Sequence, residues 1–109
     1  MRLFHFSNAP DEGTQEAIKE AMLAFGVPFS GELDVRRIAG IVPASKVRLP
    51  IVEVRHYALI SGVRRGDRIA LLDEQPFSCW LARAMKKITR RPVYLITIES
   101  GGVSEISSF

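Results

Sequence analysis

The chain has little cysteine and histidine. Its 109 residues include one cysteine, Cys79, and two histidines, His5 and His56. A single cysteine cannot form an internal disulfide, and this set is too small for a structural zinc site. We therefore expect a reducing compartment, no bound metal and no cofactor.

Long apolar runs and a strong charge imbalance are also missing. No segment approaches the roughly 20 apolar residues of a membrane span, and the first residues lack the apolar stretch of a secretion signal. We therefore expect a cytoplasmic protein, a single domain over residues 1–109, with no membrane partner. Its 15 Lys and Arg stand against 12 Asp and Glu. That small excess argues against a dedicated binder of duplex nucleic acid.

Several sequence motifs of enzymes do not occur. There is no G-x-x-x-x-G-K or G-x-G-x-x-G run, which excludes the standard cradles for nucleoside triphosphates and dinucleotides. There is also no G-x-S-x-G elbow, and Cys79 has no sequence cue for a partner base. Redox, kinase and conventional hydrolase functions are therefore not favoured.

The apolar pattern predicts strands that alternate with helices. The predicted helices cover residues 11–25 and 78–90, and the predicted strands cover 3–6, 68–72, 92–98, an edge strand in 103–109 and a strand near 38–42. A helix is favoured over a strand in residues 51–60, although the composition fits both.

The strand predicted at residues 68–72 is apolar throughout, which is typical of a sheet covered on both faces. The pattern therefore predicts a small Rossmann-like α/β fold, with a mainly parallel sheet flanked by helices. In such sheets the ligand crevice lies beyond the carboxyl ends of the strands. Three loops are expected to meet there: residues 7–9, 73–78 and 97–101.

The predicted crevice combines features that attract and repel anions. Two of its loops lead into helix N-termini, where free amide groups suit an anion such as phosphate. Asp73, Glu74 and Glu99 would repel a phosphate, unless they pair with arginines or accept hydrogen bonds from a ribose. The sequence therefore leaves a small anionic ligand open and does not fix which one, since every turn from a strand into a helix offers such amide groups.

The order of short motifs resembles a known group of proteins. The motifs are Asn8 followed by Gln15, Gly66-Asp67 before an apolar strand, and Pro92-Val93-Tyr94 opening a strand that ends in Thr97-x-Glu99. This order is similar to that of small CRISPR-associated Rossmann-like proteins, which are relatives of ring nucleases and CARF domains. The resemblance covers the two ends of the chain and leaves out residues 27–60.

The resemblance implies a cyclic oligoadenylate ligand, a second messenger of type III CRISPR defence that some members degrade and others sequester. No residue is an obvious general base, so binding without turnover is favoured over slow, metal-independent attack by a ribose 2′-hydroxyl. A ring with two-fold symmetry also implies a homodimer. The implied ligand-binding residues are Ser7, Asn8, Gln75, Phe77, Ser78, Thr97 and Glu99.

Two other interpretations stay open. The segment from Ser61 to Ile69, with the helix and strand that follow, is similar to the second half of a PDZ domain and would indicate a peptide-binding module. The basic residues of the second predicted helix would suit a small inhibitor or adaptor protein that has no small-molecule site.

Overall fold

A computed structural model of the protein describes residues 1–29, 31–38, 63–74 and 78–109. The described residues form five strands and two helices. In chain order these are β1 (Arg2–His5), α1 (Glu12–Phe25), β2 (Asp34–Arg37), β3 (Ile69–Leu72), α2 (Ser78–Thr89), β4 (Val93–Glu99) and β5 (Gly102–Ser108). The helix favoured for residues 51–60 lies outside the described residues.

The described strands form one sheet with the order β2-β1-β3-β4-β5. β1 pairs in parallel with both β2 and β3, and β3 pairs in parallel with β4. β5 runs antiparallel to β4 at the edge. The predicted α/β class, the parallel direction of the first, third and fourth strands, and the edge strand in the tail are confirmed.

β3 shows that the sheet is covered on both faces, because each of its four residues is buried. Ile69 and Leu71 belong to a cluster that contains the buried side chains of α2. Ala70 and Leu72 belong to a second cluster that contains the buried side chains of α1. The two helices therefore lie on opposite faces, and a continuous apolar run was the correct sequence signal for this strand.

α1 begins and ends at residues suited to those positions. The Asp11 carboxylate accepts a hydrogen bond from the Thr14 amide at 2.8 Å, which caps the first turn. At the other end Gly26 has a left-handed backbone with φ of 97°, and its amide lies 3.1 Å from the Leu23 carbonyl. Between them, Ile18 and Met22 are fully buried against the sheet.

Replacement of Gly26 by alanine is expected to lower the free energy of unfolding by about 1 kcal/mol. The left-handed conformation disfavours a Cβ atom, although no neighbouring atom would collide with it. Urea denaturation followed by circular dichroism measures this difference. Ala24→Gly, inside the helix, should lower the free energy of unfolding by a similar amount, because a glycine loses more backbone freedom when the helix forms. An unchanged free energy of unfolding in Gly26→Ala would contradict the assigned cap.

α2 packs its apolar face on the other side of the sheet. Leu81 and Met85 are fully buried there, and the Thr89 hydroxyl donates to the Met85 carbonyl at 2.9 Å near the end of the helix. Arg90 then takes a left-handed backbone with φ of 56°, which ends the helix. The predicted helix is confirmed.

The strand expected near residues 38–42 lies almost entirely outside the described residues. The described part of the chain has β2 at Asp34–Arg37, a strand that was not predicted, and Ile38 lies just beyond it. β2 is an edge strand with mostly exposed side chains, and Val35 is its one apolar residue. It has no apolar alternation, so the usual strand signal is missing.

β4 and β5 form a hairpin through a two-residue turn at Ser100 and Gly101, since Glu99 pairs with Gly102. Both turn residues have positive φ, 53° and 79°, as a type I′ turn requires. This turn fixes the antiparallel edge of the sheet.

Neither α1 nor α2, the helices in the described part of the chain, has the length and apolar character needed to cross a bilayer.

Candidate functional site

The topology places a crevice between β1 and β3. The chain leaves the carboxyl end of β1 through α1 and returns in β2 on one side, whereas it leaves β3 through α2 and returns in β4 on the other side. Where two neighbouring parallel strands send their connections in opposite directions, the loops separate and leave a gap. Ligands of open α/β sheets commonly bind at such a point.

A cleft of about 200 Å³ lies at this position. Its described lining consists of Asn8, Pro10, Thr14, Leu72, Asp73, Glu74, Ile96 and Ile98. The apolar members come from the α1 face of the sheet, and the polar members come from the loops and the first turn of α1. The cleft therefore has aliphatic walls and carboxylate and amide groups at its rim.

The loops after β1 and β3 are joined by hydrogen bonds. Glu74 Oε2 accepts from both the amide and the hydroxyl of Ser7, with the amide nitrogen at 3.1 Å. The His5 side chain is buried and its Nδ1 lies 3.1 Å from the Ser7 carbonyl oxygen. Ser7 is therefore a linking residue, and His5 has the structural position that is typical of a histidine inside a strand.

The loop after β3 is also tied to β4. The Thr97 hydroxyl donates to Asp73 Oδ2 at 3.3 Å, and the Asp73 amide donates to the Ile96 carbonyl at 2.9 Å. These two contacts hold the Asp73 carboxylate at the rim of the cleft. Its remaining lone pairs can accept hydrogen bonds from a ligand.

Negative charge already occupies the N-terminus of α1. The hydrogen bond from the Thr14 amide lowers the pKa of the Asp11 carboxyl below its usual value, so this group is ionised at neutral pH. The capping carboxylate takes the place that a phosphate would otherwise occupy at the first turn. The cleft therefore favours ligand groups that donate hydrogen bonds over phosphate groups.

The capping contact predicts a pH dependence of stability. Because folding depresses the pKa of Asp11, this contribution is present above the unfolded value near 3.8 and is lost as the pH falls through the lower folded value. Asp11→Asn keeps a capping side chain but cannot titrate. Thermal unfolding between pH 7 and pH 2 should therefore show a shallower acid decline in the variant. Identical declines would show that the contact does not contribute.

The structure brings together only some of the expected site residues. Asn8 lines the cleft, and Ser7 and Thr97 hold its two carboxylates in place. Ser78 is the buried first residue of α2 and is not among the lining residues, and neither is the exposed Glu99 at the end of β4. Gln75 and Phe77 lie outside the described residues. Phe77 is the residue directly before α2, at the position that would cap this helix.

Sequence reasoning missed other members of the cleft. Pro10 precedes α1 and Thr14 lies in its first turn, and in a sequence residues of these types at the start of a helix indicate the helix start and not a ligand site. Ile96 and Ile98 were assigned to a strand, but the face they occupy could not be chosen without the position of α1. The alternation along β4 was the available signal, since Ile96 and Ile98 share a face and Thr97 lies on the other.

Positive charge reaches the same edge through Arg37 at the carboxyl end of β2. Its Nε lies 3.4 Å from the Phe6 carbonyl oxygen, at the start of the loop that leads to Asn8. Arg37 is two residues from Val35, which packs on the α1 face, so the strand period places both on the side of the cleft. Arg37 is therefore a cation at this edge of the sheet, on the same face as the cleft, that is available to an anionic part of a ligand.

The motif residue Gln15 has a role within the loop. Its side-chain amide donates to the Pro10 carbonyl at 2.9 Å and so holds the segment that leads into α1.

Among the described residues, no group of three or more histidine, cysteine, aspartate or glutamate side chains is arranged to hold a metal ion.

Comparisons of the chain with family models, with curated proteins and with solved structures gave no match. The family resemblance seen in the motif order therefore stays a prediction.

Proposed function

We propose that the protein binds a cyclic oligoadenylate at the carboxyl edge of a Rossmann-like sheet and does not turn it over. The observation that carries this proposal is the cleft between the loops after β1 and β3, with Asn8, Asp73 and Glu74 at its rim. This is the position at which open α/β sheets commonly bind nucleotides. The parallel direction of β1 to β4 favours it over the PDZ-like alternative, whose core would be mainly antiparallel.

The chemistry of the rim suits the nucleoside part of the ligand. Carboxylates accept hydrogen bonds, and both ribose hydroxyls and the adenine amino group donate them. The aliphatic side chains of Leu72, Ile96 and Ile98 offer a surface for the face of a purine. In this arrangement the nucleoside enters the cleft and the phosphates lie outside it, towards Arg37.

The size of the cleft limits what one protomer holds. Ligand pockets are commonly about 300–1,000 Å³, whereas this cleft measures about 200 Å³. It accommodates about one nucleoside and not a complete ring. A cyclic ligand would therefore use one cleft from each of two protomers, which matches the two-fold symmetry of the proposed homodimer.

The same rim is poorly suited to cleavage of the ring. Attack by a ribose 2′-hydroxyl requires an oriented hydroxyl and groups that stabilise negative charge developing on the phosphate. The described lining of the cleft contains two carboxylates, Asp73 and Glu74, and no cation. These carboxylates would destabilise a nearby phosphate as its charge grows, and the proposed arrangement keeps the phosphates outside the cleft, so we expect the ligand to stay intact.

Isothermal titration calorimetry with cyclic tri-, tetra- and hexa-adenylate tests the binding proposal. We expect saturable heat with one of the rings at one ring per two protomers, and much weaker heat with the linear tetra-adenylate. Absence of heat with all three rings would overturn the proposal. A stoichiometry of one ring per protomer would contradict the shared-cleft arrangement while leaving binding intact.

Turnover is tested separately by chromatography under single-turnover conditions, with protein in excess over the ring that binds. The expected result is that the ring is recovered unchanged after long incubation. Linear products would show that the protein is a ring nuclease, and they would contradict the part of the proposal that assigns sequestration.

A further inference from the structure

A second surface with opposite charge lies on α2. Three exposed cationic side chains of α2, Arg83, Lys86 and Lys87, lie at the spacing that places residues on one side of a helix, and the exposed Arg90 follows directly after its end. Together with Ser108 and Phe109 they line a groove of about 720 Å³, which we call the basic groove. It is several times larger than the cleft at the carboxyl edge.

The cations of the basic groove are not neutralised by the described acidic residues. The ion pairs within the described part of the chain involve Arg2, Lys19 and Arg36 as the basic partners. The helix dipole favours cations in the last turn, which accounts for Lys86 and Lys87. It does not account for Arg83 in the middle of the helix, and like charges one turn apart repel each other.

The basic surface continues beyond α2. The loop before β3 contacts the end of the helix through a hydrogen bond from the Gly66 amide to the Thr89 carbonyl at 2.8 Å. This loop carries the exposed residues Arg64 and Arg65. The contact lies at the amino edge of the sheet, whereas the cleft lies at the carboxyl edge. The small net charge of the chain therefore conceals an uneven distribution.

An aromatic ring lies among these cations. Phe109 is fixed by backbone hydrogen bonds to Val93 in both directions, at 2.9 and 3.2 Å, and its ring packs partly against the α2 side of the core. The Arg83 guanidinium lies over this ring, 5.7 Å from its centroid. The pair offers a planar surface that is suited to a nucleic acid base.

We propose that the basic groove binds single-stranded nucleic acid, with its lysine and arginine side chains on the phosphates and one base stacked at the Phe109 and Arg83 pair. Grooves that bind single strands without sequence preference combine these two features. An acidic peptide would satisfy the cations but would leave the aromatic surface without a role. This proposal concerns the opposite edge of the sheet and does not depend on the cyclic ligand.

Fluorescence anisotropy with labelled single-stranded RNA and DNA of mixed sequence, over a series of salt concentrations, tests the proposal. Each neutralised phosphate of a single strand contributes about −0.7 to the slope of log K against log salt, so four cations predict a slope near −3. Affinity should accordingly fall about 50-fold between 50 and 200 mM salt. RNA and DNA are expected to bind with similar affinity, because the groove would contact phosphates and the faces of bases, which both nucleic acids share.

Charge-matched variants distinguish binding in the basic groove from a general effect of the protein's positive charge on affinity. Lys86→Gln/Lys87→Gln should reduce the salt slope to about half its value. The control Lys19→Gln/Arg36→Gln removes the same charge from α1 and β2 and should leave both affinity and slope nearly unchanged. Phe109→Leu should weaken binding about tenfold without changing the slope, because it removes stacking and no charge.

Four results would overturn the proposal. One is no binding of either single strand at 50 mM salt, and another is equal affinity for the matching duplex. A third is equally effective competition by poly-glutamate, which would identify the groove as a site for an acidic protein. The fourth is an equal loss of affinity in the lysine variant and its charge-matched control, which would place binding elsewhere.

Discussion

Replacement of Phe4 by alanine is expected to lower the free energy of unfolding by about 3–5 kcal/mol. Phe4 is fully buried in β1, which is paired on both sides by β2 and β3, and its ring lies in the cluster that α2 covers. Loss of the ring removes apolar burial and leaves a cavity between parts of the structure that cannot easily close. Urea denaturation followed by circular dichroism measures the effect.

Leu23→Ala provides the control, since Leu23 is 57% exposed on α1. It should change the free energy of unfolding by less than about 0.5 kcal/mol. A loss below about 1 kcal/mol in Phe4→Ala would mean that β1 is not at the centre of the core, and the position of the cleft beside it would then be wrong as well.

Asp73→Asn is expected to weaken binding of the cyclic ligand by about 10- to 100-fold. A hydrogen bond to a charged group contributes about 1.5–3 kcal/mol, and the amide keeps the shape of the side chain but loses the charge. The contact with the Thr97 hydroxyl can be kept by the amide oxygen, so stability should change little. Calorimetry and thermal unfolding on the same protein samples measure the two effects.

The direction of this change distinguishes two roles of the carboxylate. If Asp73 accepts a hydrogen bond from the ligand, its neutralisation weakens binding. If it only faces a phosphate, neutralisation removes a repulsion and strengthens binding. Glu105→Gln on β5 makes the same change in charge at an exposed position outside the cleft and should leave affinity unchanged. Tighter binding in Asp73→Asn would contradict the proposed placement of the nucleoside.

Elements with a clear apolar period could be predicted from the sequence. α1 shows Ile18 and Met22 one turn apart between a capping aspartate and a glycine, and the structure uses all four features. β3 is an apolar run, and it is buried on both faces. β2 could not be found, because a polar edge strand is held by backbone pairing to β1 and leaves almost no pattern in its side chains.

The site was predictable to the level of its loops. Parallel strands bring their carboxyl ends to one edge, and the contacts from Ser7 to Glu74 and from Thr97 to Asp73 bring the loops after β1 and β3 and the last residues of β4 together there. Which side chains enter the cleft depends on the face that α1 covers. That face is set by packing between distant parts of the chain and does not follow from local spacing.

The charge distribution was the least predictable property. Arg83 and Lys87 look like ordinary solvent-facing residues of an amphipathic helix when the sequence is considered alone. Their significance depends on Phe109 lying beside them, which is a result of the pairing between the end of the chain and Val93. A contact between residues so far apart in the sequence has no local signature.

Nuclear magnetic resonance titration of the isotope-labelled protein with the cyclic oligoadenylate that binds tests the location of the site most directly. The amide signals of residues 7–9, 11–14, 73–74 and 96–98 should shift, and those of residues 83–89 on α2 should not. Shifts confined to α2 and the end of β5, or no shifts at saturating ligand, would contradict a nucleotide site at the carboxyl edge of the sheet.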